Sequence, residues 1–344
     1  MKAKPKAEGV GFDPNAAARP GSGVFGLPCG RVESRVVLIP VPFDATTSYR
    51  AGTAGGPGAI LEASGQVDLF DVSLGRVYER GIFMEPIPGA IRALSRSARA
   101  KASPVIARGG ARAGSASDAK ALAAVARAGE RVNEFVYGRA SAALSEGRVP
   151  GVVGGEHSVP YGSIRACAER FPGLGILQVD AHMDFREAFE GFAWSHASIM
   201  HNVMTRVGGV SRVVQVGIRD FGEDEMSFAR GLGERCRVYF DETLAGEMLS
   251  GGAWGEACRR IVGDLPGEVY VTVDIDALDP SLCPNTGTPV PGGLSYAQLR
   301  MLLLALRGSG RRVVGFDVVE VTPGRGSIDA NVGARVLYTL CGLA

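Results

Sequence analysis

What the chain lacks first is any dense cysteine pattern. Its six cysteines, Cys29, Cys167, Cys236, Cys258, Cys283 and Cys341, lie far apart with no C-x-x-C pair. That excludes a zinc ribbon or a secreted disulfide scaffold and fits unpaired thiols in a reducing cytoplasm. No apolar run reaches 18 residues, so no membrane span is expected, and the N-terminus has no apolar stretch of signal-peptide type. Charge of one sign is also missing: 37 Lys and Arg stand against 36 Asp and Glu. Without a net field, nucleic acid and anionic membranes are not expected partners, which leaves small molecules and further copies of the chain. Internal repeats are absent, and histidine is scarce, with four in 344 residues. What is present, 46% hydrophobic and 21% charged residues, is the composition of a globular protein that buries a large core.

Residues 1–23 are rich in Gly, Pro, Ala and Lys without apolar periodicity and are expected to form a flexible arm ahead of a domain over 24–344. Residues 92–120 hold seven basic side chains and one acid, Asp118, and read as a basic surface insertion. Elsewhere, short β-branched runs at 36–40, 149–155, 174–180, 212–218, 268–276 and 312–321 alternate with helical patterns near 118–146, 160–171, 196–207, 253–263, 295–307 and 330–341. Apolar strands separated by helix-length segments imply a parallel sheet covered on both faces. The expected fold is therefore a single α/β domain with three αβα layers and a mostly parallel central sheet, its ligands gathered beyond the carboxyl ends of the strands.

Three acidic or histidine-bearing clusters fall at those ends. D-A-H-M-D follows L-G-I-L-Q-V, so Asp180, His182 and Asp184 share one side if the strand stays extended. D-I-D-A-L-D-P closes E-V-Y-V-T-V, with Asp274 and Asp276 again two apart and Asp279 before Pro280 reading as a turn-former. G-G-E-H-S follows V-P-G-V-V and aims His157 into the same crevice, with Glu156 or Ser158 as orienting or capping residues. Adjacent carboxylates in a crevice repel and resist desolvation unless cations lie between them. Two imidazoles and four aspartates give six ligands, and their charge balances two divalent ions better than one. Oxygen-rich ligation with some imidazole and no thiolate suits two Mn²⁺, with Ni²⁺, Co²⁺ or Fe²⁺ as alternatives.

In this order the three segments resemble the hallmarks of the arginase/agmatinase (ureohydrolase) family, G-G-D-H-S, D-A-H-x-D and D-x-D-x-x-D-P. The likeness spans roughly residues 34–343 and includes V-P-F-D-A-T-T-S-Y-R-A-G-T at 41–53 and G-P-G-A-I-L-E-A-S at 56–64. It implies a binuclear site shared among His157, Asp180, His182, Asp184, Asp274 and Asp276. S-H-A-S places the family's catalytic histidine at His196, and V-V-E-V-T-P places the guanidinium-holding glutamate at Glu320. A homo-oligomer, trimer or hexamer, is expected by the same analogy. His201, on a helix five residues beyond His196, reads as a packing or surface residue.

The implied reaction is hydrolysis of a guanidino compound to urea and an amine, with water activated by the ion pair, Asp184 orienting it and His196 shuttling a proton. The polar continuation of arginases after D-A-H-x-D is replaced by F-R-E-A-F-E-G-F-A-W, so agmatine, giving putrescine and urea, is preferred to arginine. Glu187 and Glu190 are candidates to attract a distal amine, and Phe185, Phe189, Phe192 and Trp194 to wall the pocket. The alternatives are guanidinobutyrate, guanidinopropionate, guanidine or formimidoylglutamate as substrate, and a non-catalytic binding or regulatory role on the same fold.

Overall fold

Strand-forming runs buried on both faces set the architecture. The structure is a computed structural model that describes residues 12–19, 21–324 and 328–344. β1 (Val36–Val41) is followed by α1 (Gly56–Ser64), by the antiparallel pair β2 (Phe70–Asp71) and β3 (Gly75–Arg76), and by β4 (Ile82–Met84). Two helices, α2 (Gly89–Ile106) and α3 (Ala116–Ser145), lead to β5 (Val149–Gly154), α4 (Tyr161–Arg170), β6 (Leu174–Val179) and α5 (Ile199–Arg206). β7 (Val210–Ile218), α6 (Glu223–Gly231), β8 (Cys236–Phe240), α7 (Asp241–Leu249), α8 (Trp254–Gly263) and β9 (Glu268–Asp274) come next. α9 (Tyr296–Gly308), β10 (Arg312–Val319) and α10 (Asp329–Leu343) complete the chain.

Eight strands form one sheet in the order β4-β1-β5-β10-β9-β6-β7-β8, and its pairings are parallel. Every residue of β1, β5 and β6 is buried, as expected of strands covered by helices on both sides. Along β9, Val269, Val271 and Val273 face the layer built from α1 and α7 to α10, while Tyr270 faces the layer of α4 to α6. The expected three-layer αβα fold is therefore present. β5 and β6 are consecutive in the chain yet separated in the sheet by β10 and β9. The crevice of such a switch in strand order opens beyond the carboxyl ends of these four central strands.

The strands and helices expected from the sequence are all found, with ends shifted by a few residues. α1, α2, α6, α7 and the edge strands β4 and β8 add to them. Residues 92–120 require a correction to the surface-insertion reading. Ile91, Ser95, Ala98, Ala102 and Val105 form a buried stripe along α2, and small side chains at helical spacing beneath the arginines had concealed it. Asp118 sits in the first turn of α3, bonded by Arg108 and Arg112. Of the expected arm, residues 1–11 and 20 lie outside the described residues. Phe12 packs its ring on Tyr78 at 6.1 Å. Among the described residues no helix is long and apolar enough to cross a membrane.

α4 approaches α3 so closely that a Cβ at Gly162 would lie 2.1 Å from the Asn133 carbonyl oxygen. Gly162→Ala is expected to force the two helices apart at a cost of about 1–3 kcal/mol, read as a lower denaturant midpoint at unchanged slope. An unchanged midpoint would show that the two helices separate freely.

Candidate metal centre

Each central strand releases one part of the site as it ends. After β5, Gly155 lets the chain pass under Phe43, since a Cβ there would sit 1.9 Å from the Phe43 carbonyl oxygen. The chain then turns His157 inward, and its amide donates to Glu320 Oε1 at 2.8 Å. After β6, the His182 amide donates to Asp180 Oδ1 at 2.8 Å. Asp184 adopts a left-handed φ of 55°, so it reaches the crevice through a turn and not through the extended alternation read from its spacing. After β9, a short 3-10 turn, in which Asp274 Oδ1 accepts the Asp276 amide at 2.9 Å, sends the two aspartates to different sides.

Two ligand groups result, His157 with Asp180 and Asp274, and Asp180 with His182 and Asp276. Asp180 belongs to both. Its Oδ2 lies 3.0 Å from His157 Nδ1, and its Oδ1 lies 3.6 Å from His182 Nδ1, which also has Asp276 Oδ2 at 3.1 Å. Asp274 Oδ2 lies 3.4 Å from His157 Nδ1, and Asp184 Oδ2, outside both groups, stands 3.0 Å from the same nitrogen. All six expected ligands are thus brought together.

The residues fit a pair of cations by the chemistry of their donors. His157 Nδ1 is buried and makes no well-directed hydrogen bond, although three carboxylate oxygens surround it. Its other nitrogen faces Thr272 Oγ1 at 2.9 Å, and Thr272 donates onward to Asp317 Oδ1 at 2.8 Å. A hydroxyl that has given its proton away can only accept, so Nε2 carries the imidazole proton and Nδ1 offers a lone pair. Asp317, Thr272, Gln178 and Gln215 are register partners across β10, β9, β6 and β7. Gln215 donates to Gln178 at 2.7 Å, and Gln178 to Asp180 Oδ2 at 2.8 Å. A buried polar row therefore underlies the ligands.

Burial and mutual repulsion disturb the acids. Asp184 is pushed up to about 7 by burial and by Asp180 beside it. Burial, with repulsion from Asp276 and Asp180, drives Asp274 well above the usual carboxylate range. Glu320 is driven up likewise by burial and Glu156. Asp180 is held low: burial opposes ionisation there, but the close approach of His157 and His182 outweighs it. Burial acts to lower both histidines, and the surrounding carboxylates raise them well above the ordinary imidazole value. Without cations the crevice keeps protons that cations would displace.

Beside the two groups lies a cavity of about 140 Å³. Glu320, at φ 60°, spends Oε1 on the His157 amide and leaves Oε2 buried without a partner. His196 stands across the cavity, with Thr46 Oγ1 and Ser48 Oγ each 3.4 Å from one of its ring nitrogens and the Phe189 ring edge-on at 5.9 Å. Burial, with repulsion from His182, His157 and Arg99, lowers His196 to about 3. It therefore rests neutral.

Other expectations are redistributed. Of the four aromatics only Phe189 lines the cavity. Phe185 packs on Phe228, Phe192 is buried in the core and Trp194 meets Tyr161. Glu187 is exposed, and neither it nor Glu190 lines the cavity. Instead Arg186, Asp220 and Glu225 do so. His201 packs on Phe228, its amide bonded to the Asp184 carbonyl. Asp279 accepts the Ser281 amide in a turn. Glu156 accepts the Thr46 amide and the Ser158 hydroxyl. Polar residues inside apolar strands, Gln178, Gln215, Thr272 and Asp317, were the unread signal for the supporting row.

The Arginase family matches residues 34–342. An N(1)-aminopropylagmatine ureohydrolase of Thermus thermophilus is 33% identical over 318 residues, 90% of each chain. An agmatinase of Bacillus anthracis is 31% identical over 298 residues, 85% of this chain and 84% of that one. The structure of a proclavaminate amidinohydrolase from Streptomyces clavuligerus superposes with a TM-score of 0.72 at 25% identity, covering 96% of this chain and 98% of that one.

Because the crevice holds protons that cations displace, Mn²⁺ is expected to bind more tightly near about pH 8 than near about pH 6, releasing protons in calorimetry across buffers of differing ionisation enthalpy. Binding without proton release would sink the ligand assignment. Thr272→Val is expected to weaken metal binding by about 10–100-fold, measured by chelator competition. An unchanged affinity would remove Thr272 from the orientation of His157.

Proposed function

Because this chain belongs to the Arginase family, hydrolases of amidino C–N bonds that depend on a binuclear metal centre, we propose that it hydrolyses an amine-tailed guanidino compound of the agmatine class to urea and the corresponding amine. His157, Asp180, His182, Asp184, Asp274 and Asp276 would hold two divalent ions, Mn²⁺ by the donor set. The observation that carries the reading is the buried, partnerless Oε2 of Glu320 facing the shared cavity. A guanidinium presents planar, charge-assisted donors that such an oxygen lacks.

When bound, the ions supply Lewis acidity that lowers the pKa of a water, so that hydroxide is available near neutral pH. Asp184 accepts a hydrogen bond that orients the attacking water. Glu320 fixes the guanidinium plane and offsets its positive charge. Water adds to the guanidino carbon, the bond from that carbon to the alkylated nitrogen breaks, and this nitrogen must gain a proton to leave. Neutral His196 takes up a proton in passing. Burial and the neighbouring positive charges oppose its imidazolium form, so it passes that proton to the departing amine.

The cavity's outer part supports an amine at the distal end. Arg186 is its one arginine, and its Nε lies 3.4 Å from Glu225, whose carboxylate also accepts the Phe185 and Gly222 amides. Asp220 is left largely exposed, its side chain facing His182 at 3.9 Å. The rim is thus anionic overall, which attracts a cationic tail and repels a carboxylate. Agmatine satisfies this, as does its aminopropyl-extended form. Near-equal identity to relatives named for each leaves the choice to a direct assay.

Urea release by Mn²⁺- and Ni²⁺-loaded protein is expected to be fastest with agmatine or aminopropylagmatine among a panel that adds arginine, guanidinobutyrate, guanidinopropionate and guanidine. Faster release from guanidinobutyrate would overturn the reading of the tail. Ammonia and formamide from formimidoylglutamate, with no urea from the panel, would overturn the guanidino reading. Asp276→Asn is expected to lose metal and activity together. His196→Ala is expected to keep its metal while kcat falls by about 10²–10⁴, and normal turnover in that variant would remove the shuttle.

A further inference from the structure

The basic segment 92–120 supplies a side chain that the reaction above leaves unused. Arg99 projects from α2 toward the loop after β1, where Nη1 donates to the Thr47 carbonyl at 2.5 Å and to Thr47 Oγ1 at 3.0 Å. Thr47 lies between the two residues that flank His196. Thr46 Oγ1 accepts the His196 amide at 3.1 Å and stands 3.4 Å from Nδ1, while Ser48 Oγ stands 3.4 Å from Nε2. A shift of Thr47 therefore moves both hydroxyls against the ring together. One turn earlier on α2, Ser95 Oγ accepts the Asp44 amide and donates to Asp44 Oδ1, each at 3.0 Å, and Asp44 Oδ2 accepts the Gly52 amide at 2.9 Å. α2 thus grips the loop at its start and at its centre.

The charge of Arg99 also bears on a second loop beside the ring. Arg99 is the cation that favours ionisation of Glu190, against the burial that raises that acid. Glu190 has a buried Oε2 without a hydrogen-bond partner and a left-handed φ of 54°. It follows Phe189, whose ring stands edge-on to His196. The guanidinium is thus bonded to one of the two loops beside the imidazole, 44–52, and bears electrostatically on the other, 186–195.

We propose that Arg99 is a positioning residue which, through Thr47, holds the Thr46 and Ser48 hydroxyls against the two ring nitrogens of His196. The proposal rests on the reading of His196 as the proton shuttle. It differs from a merely structural role in acting on one side chain. Arg99 is remote in sequence from the ligands and from Glu320, and none of its hydrogen bonds reaches them, so metal binding and guanidinium capture should not depend on it.

The test is a double-mutant cycle on the Mn²⁺-loaded full chain. Arg99→Met is expected to lower kcat about tenfold with KM and bound metal unchanged, and Arg99→Lys, which retains one charged donor for the Thr47 carbonyl, to recover most of the loss. In a His196→Ala background the same substitution is expected to change kcat by less than about twofold. Thr47→Ala, which removes one of the two acceptors and no charge, should give a smaller loss of the same pattern. Equal losses in both backgrounds, a loss confined to KM, or a fall in bound metal would each overturn the proposal.

Imidazole ¹H–¹⁵N spectra of the metal-free chain provide a readout that needs no turnover. With four histidines, His196→Ala assigns the His196 signals. Arg99→Met is expected to shift these and leave the other three in place, and unshifted His196 signals overturn the proposal whatever the substrate proves to be. Shifted signals without urea release from any substrate would refute the function and support the positioning.

Discussion

Four aspartates and two imidazoles meet where parallel strands end, in a largely buried crevice, and everything else about the molecule answers to that crowding. Isolated carboxylates in such a place would each cost several kcal/mol to desolvate. Their repulsion is visible in the rise of Asp184 and Asp274. Asp180 concentrates the conflict, because one oxygen serves the His157 group and the other the His182 group. Retained protons relieve it in the absence of cations, and cations relieve it in their place, which is why the fold and the cofactor are one problem. The sheet solves the placement by inserting β10 and β9 between β5 and β6. Four segments distant in sequence thereby release their functional residues side by side.

Placement alone would leave the ligands free to relax apart. The row Gln215, Gln178, Thr272 and Asp317 prevents this from one register position below, since its hydrogen bonds end on Asp180 and on His157. Four polar side chains in the interior of a sheet are stable only when nearly all their bonds are made. Here the bonds double as an orientation device. The left-handed backbones of Asp184 and Glu320 belong to the same economy. Each costs about 1–3 kcal/mol for a residue with a side chain, and each turns a carboxylate into the cavity that extended backbone would aim elsewhere.

The sequence made the central strands and the six ligands legible for a physical reason. Near-continuous apolar runs mark doubly covered strands, and acids that close such runs have no structural excuse. It was less informative where pattern and geometry diverge. The spacing of Asp180, His182 and Asp184 suggested one extended face, yet the convergence depends on a turn that no periodicity reports. α2 was hidden because Ser95, Ala98 and Ala102 make a core stripe of low hydrophobicity under conspicuous arginines. Phe185, Phe192 and Trp194 looked like a pocket wall because they share one loop with Phe189, but a loop that folds over a core buries most of its aromatics, and three of these four went inward. Thr46 and Ser48 lie in a segment the family likeness covers, but nothing in it marked these hydroxyls as neighbours of His196, 148 residues or more away.

This division between strand ends and loops separates the chemistry from the choice of substrate. The ligands and Glu320 sit where backbone hydrogen bonding fixes each strand, so the guanidinium end of a substrate meets a surface with little freedom to vary. The part of the cavity proposed for the tail is lined by Asp220, Arg186 and Phe189, which belong to connections beyond β6 and β7. Loops tolerate exchange of charge without loss of the core. Arg186 illustrates the consequence, since its guanidinium stacks 4.7 Å above the Phe189 ring and leans on Glu225. That pairing spends its charge inside the protein and leaves Asp220 to set the sign of the rim. Replacement of Glu225 by a neutral residue would release Arg186 toward the tail and neutralise the rim, Arg186 then balancing Asp220, while every ligand stayed in place. The proposed preference for an amine therefore rests on one ion pair at the mouth, and the hydrolysis rests on the sheet.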